Sequence, residues 1–287
     1  MDMILTGGSG FVGSHYFDTF KNNYNISNYD KKLGKAYDLC SERVTESMPS
    51  CDILFHLAAT NGTRLFYDTP TDVLINNTLP TINLIKRYIN SSTKFVFAST
   101  CEIFNSTIDN HYYDVPTDEQ VPIMFNDITN PRWSYSIPKA LGENLVVNSG
   151  LEYIIIRYFN IYGPGQVDHF INEFIDRCKV GEYFINGDDT RSFCYVDDAI
   201  KMTDLIINNH SNLTVNIGSS IETPISFVAR LIMRIMGIDP ELLEIRSSPK
   251  GSATRRCPDT SLVYKLTNFS EYTPLEKGLK NTIESLI

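Results

Sequence analysis

Thr6-Gly7-Gly8-Ser9-Gly10-Phe11-Val12-Gly13 follows directly on the apolar run Met3–Leu5 and leads into Gly10–Lys21, a segment of helical pattern. A glycine loop that closes a strand and opens a helix is the phosphate-binding turn of a dinucleotide-binding unit. Gly7 permits the tight turn, Gly10 lets backbone approach a pyrophosphate, and Gly13 lets helix pack on strand. Phe11 and Val12 complete this turn, whose helix N-terminus faces the phosphates. Asp30 ends the next strand-like stretch, Tyr24–Asp30, 17 residues beyond Gly13 (30 − 13). An acid there accepts hydrogen bonds from ribose hydroxyls and repels a 2′-phosphate, which favours NAD over NADP. Lys31 and Lys32 read as a solvated turn. Asp38 and Leu39 are placed to contact the adenine, and Ala58 and Ala59 to line the cofactor groove.

Downstream, Tyr135 and Lys139 form a Tyr-x-x-x-Lys pair. That spacing on a helix puts both side chains on one face. The Lys139 ammonium can then favour the phenolate of Tyr135. Unperturbed tyrosine titrates near pH ~10, so a tyrosine acting as a base at neutral pH needs such help. With the glycine loop upstream, the pair points to a tyrosine that moves a proton while hydride moves to a nicotinamide; alone it would be an ordinary surface pair.

Working outward, Cys51–Ala58, Lys94–Ser99 and Leu151–Phe159 are apolar runs of strand length, with Thr71–Asn90 helical between the first two. Strands alternating with helices predict an α/β fold, a Rossmann-type doubly wound parallel sheet. After about Gly163 the pattern changes to helical segments, Phe170–Lys179, Asp197–Asn209 and Phe227–Met236, separated by short extended pieces. This predicts an NAD-binding domain over 1–165 and a smaller C-terminal substrate-binding lobe over 166–287, with a soft boundary that the chain can cross.

The 287 residues provide ample core for such a fold. At 42% hydrophobic and 21% charged residues the chain reads as soluble and globular, with no apolar run long enough to span a bilayer. Its start reads as a buried strand rather than a signal peptide. A formal charge of −9 excludes a general nucleic-acid binder. Six scattered cysteines without a C-x-x-C motif read as reduced thiols of a cytoplasmic protein, with neither a disulfide framework nor a metal site.

TGGSGFVG (6–13), HLAA (56–59), Asn77, FAST (97–100), YSIPK (135–139), RYFNIYGPG (157–165), RSFCYVDD (191–198) and RRCPD (255–259) occur in this order along nearly the whole chain. Together they resemble the extended short-chain dehydrogenase/reductases of the nucleotide-sugar epimerase/dehydratase family. The resemblance implies that Asn77 joins the cofactor site and that Thr100 hydrogen-bonds the sugar 4-hydroxyl beside Tyr135. It also implies that Asn160 meets the substrate diphosphate, and that Arg191 with Arg255 or Arg256 holds it. Arginine suits that role because its planar fork binds phosphate bidentately. A homodimer through the Tyr–Lys helix and the Thr71–Asn90 helix is implied as well. Pro138 and Pro80 depart from the family pattern, and each predicts a bent or late-starting helix.

In the shared first step of the family, Tyr135 removes the 4-hydroxyl proton while hydride leaves C4, and the 4-ketone acidifies the neighbouring carbons. Glu102 stands where the family's 4,6-dehydratases and glucuronate decarboxylases carry a glutamate, which implies proton transfer beyond C4. His169, after the YGPG turn, lies near a histidine of the epimerase-reductases and can serve the opposite sugar face. Arg64, in the loop after HLAA, is placed to hold a substrate carboxylate, with an exposed loop arginine as the plain reading. The expectation is an NAD-dependent nucleotide-sugar epimerase/dehydratase. The alternatives are a nucleotide-uronate decarboxylase and, from another class, a catalytically silent NAD-binding scaffold.

Overall fold

The structure, a computed structural model, describes residues 1–248 and 253–286. Its residues group into two units. The first holds Met1–Ile103, Phe125–Tyr158 and Ile200–Val215; the second holds Phe104–Met124, Phe159–Ala199 and Asn216–Ile287.

In the first unit, strands β1 (Asp2–Thr6), β2 (Asn25–Tyr29), β3 (Ile53–His56), β4 (Lys94–Thr100) and β5 (Tyr153–Tyr158) pair in parallel in the order β2-β1-β3-β4-β5. Leu213–Ile217 adds a sixth strand outside β5. This is the Rossmann-type sheet expected. Its strands are near-continuous apolar runs because both faces are covered: Met3, Leu54, Phe95, Val96 and Ile154 through Ile156 are all buried. Helices Phe11–Phe20, Pro70–Tyr88 and Trp133–Val147 belong to this unit, and Leu84, Tyr88 and Val146 join Ile4, Leu54 and Phe97 in one core cluster.

Chain order reverses between β1 and β3, so the loops leaving their carboxyl ends flank a crevice. Gly7 takes φ +72, and a Cβ there would stand 2.7 Å from the backbone of Ala58. A Cβ on Gly13 would strike the Gly7 carbonyl oxygen and stand 2.8 Å from Gly8 Cα. The loop, the following helix and the end of β3 can approach this closely only without side chains at these positions.

Pro70 occupies the first turn of its helix, where its missing N–H costs nothing. Pro80 and Pro138 do not interrupt theirs: Pro70–Tyr88 and Trp133–Val147 each run through their proline, and the second begins two residues ahead of Tyr135. The late start expected from Pro138 is therefore absent.

The second unit contains a three-stranded sheet ordered Glu222–Pro224, Thr190–Ser192, Arg255–Arg256. Helices Phe170–Lys179, Ile225–Ile235 and Leu275–Glu284 bury Phe174, Ile175, Ile232, Met233, Leu279 and Ile283 in a common core. Among the described residues no helix is long and apolar enough to cross a membrane.

Candidate active site

A cavity of about 190 Å³ opens at the β1/β3 crevice, lined by Gly7, Gly10, Asp30, Asp38, Leu39, Ala58 and Ala59 among others. These are the positions singled out for the cofactor. The Asp30 carboxylate accepts from the backbone N–H of Ser9 at 3.0 Å and of Lys32 at 2.9 Å, which fixes it at the groove wall. The Lys32 ammonium reaches over the loop to the Ser9 carbonyl at 3.0 Å. Tyr29 and Tyr37, which sequence reading passed over, also line the cavity and meet edge to face at 5.6 Å. A Cβ on Gly10 would meet only the Gly7 carbonyl, so its outer side is open to a phosphate. A dinucleotide fits these residues.

Phe11, Val12 and Gly13 form the first turn of the helix behind the loop. Asn77 lies beneath the groove. Its side chain accepts from Thr60 N–H at 2.8 Å and donates to the carbonyls of Thr60 and Val73, each at 2.9 Å. It thus clamps the loop that follows β3. His56 serves the same floor: Nδ1 bonds Thr6 Oγ1 at 2.7 Å, Nε2 bonds Thr81 Oγ1 at 3.2 Å, and Thr6 Oγ1 accepts from Ala58 N–H. Burial, followed by the Lys139 charge, lowers the His56 pKa to about 3.

Thr100 ends β4, where its Oγ1 accepts from the Glu102 N–H at 3.2 Å, and Tyr135 lies in the first turn of the Trp133–Val147 helix. Phe66, from the short helix Thr63–Asp68, stacks on the Tyr135 ring with centroids 5.2 Å apart and planes 14° off parallel. Burial raises the Tyr135 pKa above its ordinary value; the charges of Glu102 and Cys101 add to this, and the Thr100 hydroxyl opposes it. Burial, rather than the expected charge of Lys139, dominates the tyrosine. Lys139 Nζ lies 5.8 Å from the Tyr135 ring centre and donates to the Ala98 carbonyl at 2.7 Å. Burial lowers its pKa to about 8, against the charge of Glu143.

Glu102 pairs with Arg132, Nε to Oε2 at 3.3 Å, with both side chains nearly buried. Arg132 escaped sequence reading; its only signal was a position one helical turn ahead of Tyr135. Arg64 is not brought to this site. Its side chain is 88% exposed and pairs with Asp68 at 3.6 Å, because the helix that carries it turns Phe66 inward instead.

The remaining candidates lie in the second unit. Asn160 adopts φ +41 and keeps a buried amide nitrogen without a partner. His169 is half-buried at the N-cap of helix Phe170–Lys179. Arg191 and Arg256 are direct register partners on neighbouring parallel strands, so their side chains share one face. The charges of both act on the Asp189 carboxyl, opposing the burial that raises it, and Arg191 also donates to the carbonyls of Thr190 and Ala253, each at 2.7 Å. Arg255 faces the other way and is held by Glu222 at 2.8 Å and Asp114 at 2.5 Å.

Residues 3–218 match the NAD dependent epimerase/dehydratase family. The chain belongs to this family. It is an NAD-dependent enzyme of the epimerase/dehydratase class, and NAD is its cofactor. The chain is 28% identical to a UDP-N-acetyl-alpha-D-glucosaminuronate decarboxylase of Bacillus cytotoxicus, over 98% of this chain and 96% of that protein. It is also 28% identical to UDP-glucuronic acid decarboxylase 1 of Xenopus tropicalis, over 98% of this chain and 71% of that protein. Among solved structures, UDP-glucose 4-epimerase of Thermotoga maritima superposes with a TM-score of 0.86 at 26% identity, covering 100% of this chain and 98% of that one.

His56 sets an acid limit on this family member. Its folded pKa of about 3 lies below the ordinary 6.5, so the unfolded chain binds the extra proton between those values. Stability therefore falls as pH drops through that window. In thermal unfolding followed from pH 7 to pH 4, His56→Gln should flatten this decline relative to wild type; an equal slope in the variant would remove His56 as its source.

Proposed function

We propose that the protein acts on a nucleotide sugar by transient oxidation at C4, with Glu102 moving a proton at a neighbouring carbon. The observation that carries this reading is Glu102 itself: a carboxylate clamped by Arg132, bonded through its N–H to Thr100 Oγ1, with its charge acting on Tyr135. A simple 4-epimerisation has no need of it. Thr100 holds the sugar 4-hydroxyl, Tyr135 takes its proton, and Lys139 supplies positive charge under the tyrosine. Bound NAD supplies the hydride acceptor at this site. Because burial raises the Tyr135 pKa, proton loss from Tyr135 is costly until positive charge arrives. In the second unit, Arg191 and Arg256 hold the diphosphate, Asn160 contributes its unpartnered amide, and Arg255 is already committed to carboxylates. His169 serves as the second proton-transfer group.

A second reading, decarboxylation of a nucleotide uronate, is favoured by the two relatives named above, both decarboxylases of such sugars. Here the 4-ketone makes the substrate a β-keto acid that loses carbon dioxide. Arg132, rather than the exposed Arg64, is the cation on hand for the carboxylate.

The proposal extends to a homodimer in the cytoplasm. Ile75 and Leu79 on helix Pro70–Tyr88, and Leu141 on the helix packed beside it, leave apolar side chains 46%, 39% and 42% exposed. A second copy covers them. Light scattering should give a dimer mass for the wild type and a monomer mass for Leu141→Glu; a monomeric wild type would remove the dimer.

Incubation with nucleotide sugars in heavy water, read by mass spectrometry, tests the reaction. Deuterium gain supports proton exchange through Glu102, loss of water a dehydratase, and loss of carbon dioxide the uronate reading. Tyr135→Phe should lower turnover by roughly 100-fold or more while NAD still binds. Retained turnover in that variant would sink the mechanism, and an inert wild type that binds NAD would favour the silent scaffold.

A further inference from the structure

Lys139 is only 3% exposed, and Glu143, one helical turn further on, 6%. Glu143 is held from two strands. Arg157 of β5 grips its carboxylate with Nε on Oε1 at 2.9 Å and Nη2 on Oε2 at 2.7 Å, and Ser99 of β4 donates its hydroxyl to Oε1 at 2.5 Å. Ser99 and Arg157 stand opposite each other in the β4/β5 register. One carboxylate therefore ties the helix that carries Tyr135 and Lys139 to both strands beneath it.

We propose that Glu143 is a positioning residue for Lys139: pinned by Arg157 and Ser99, it is the counter-charge of the buried ammonium and the tie that keeps Lys139 against the end of β4. The groups that face Lys139 support this assignment. The Ala98 carbonyl and the Phe97 ring of β4 lie at 2.7 Å and 5.0 Å from Nζ and carry no charge. His56 of β3 is neutral above about pH 3, and Tyr135 on the same helix keeps its proton. Glu143 is the carboxylate whose field opposes the burial that pulls the lysine down to about 8. Without it the lysine would lose its charge close to neutrality, where Tyr135 needs that charge most. The inference holds for either reading of the reaction.

A bracing role alone would also explain the Glu143–Arg157 pair, so the test must read the charge of Lys139. Lysine side-chain carbon NMR on the whole protein provides this, with the Lys139 signal identified as the one missing in Lys139→Met. In wild type this signal should titrate with a midpoint of about 8. In Glu143→Gln it should move down by roughly one pH unit, the lower end for loss of one nearby opposite charge. That variant takes from the buried Arg157 the carboxylate that Glu143 gives it, which can unfold the protein. The double replacement Glu143→Met with Arg157→Met removes both charges, and such apolar exchange of a buried pair is commonly tolerated. A lowered midpoint in either folded variant supports the proposal. A midpoint that stays at the wild-type value in a folded variant lacking Glu143 overturns it and leaves the pair as a brace.

Discussion

The site depends on a close approach of backbone to backbone. At the end of β1 the chain must turn, start a helix and leave room for the loop after β3, all within contact distance. The space that a Cβ would need at Gly7 is filled by Ala58, and the space at Gly13 by the Gly7 carbonyl. Overpacking such a junction costs roughly 1–3 kcal/mol and, more to the point, moves the loop. The crevice exists because these atoms touch. The floor below it is then set by hydrogen bonds: Asn77 holds Thr60, and the Thr6–His56–Thr81 chain joins β1, β3 and helix Pro70–Tyr88.

A second constraint acts one strand away. Tyr135 and Lys139 are both buried, and burial opposes the charged form of each: it raises the tyrosine and lowers the lysine. The site therefore rests with the tyrosine protonated. Chemistry at neutral pH needs the lysine to stay charged and further positive charge to arrive with the cofactor. Glu143, Arg157 and Ser99 meet the first requirement from beneath, while the Glu102 charge adds to the rise of the tyrosine. The tyrosine ring itself is held by Phe66.

Much of this was legible in the sequence, and the reasons differ by element. The strands β1, β3, β4 and β5 announced themselves as unbroken apolar runs because a parallel sheet covered on both faces asks for nothing else. The glycine loop and the Tyr–Lys pair are local patterns whose spacing carries their geometry. What was not legible depends on distant pairing or on helix rotation. Arg64 and Phe66 sit in the same short helix, and only its rotation decides that the aromatic ring rather than the cation meets Tyr135. Arg132 acquires meaning from Glu102, far back along the chain. Arg255 and Arg256 are alternatives in the sequence because a two-residue strand shows no alternation; the register sets Arg256 beside Arg191 and Arg255 beside Thr190. The strand Leu213–Ile217 is short, and Thr214 and Asn216 break its apolar run; it joins the sheet through its neighbour β5.

The central claim is that Tyr135, Thr100 and Lys139 serve a transient oxidation at C4 of a sugar. The most direct measurement mixes the NAD-loaded protein with a nucleotide sugar that it turns over, carrying protium or deuterium at C4, and follows reduced-nicotinamide absorbance in time. The account predicts an absorbance that rises and falls within the turnover and rises more slowly with deuterium at C4. Turnover with no transient absorbance and no isotope effect at C4 would contradict it.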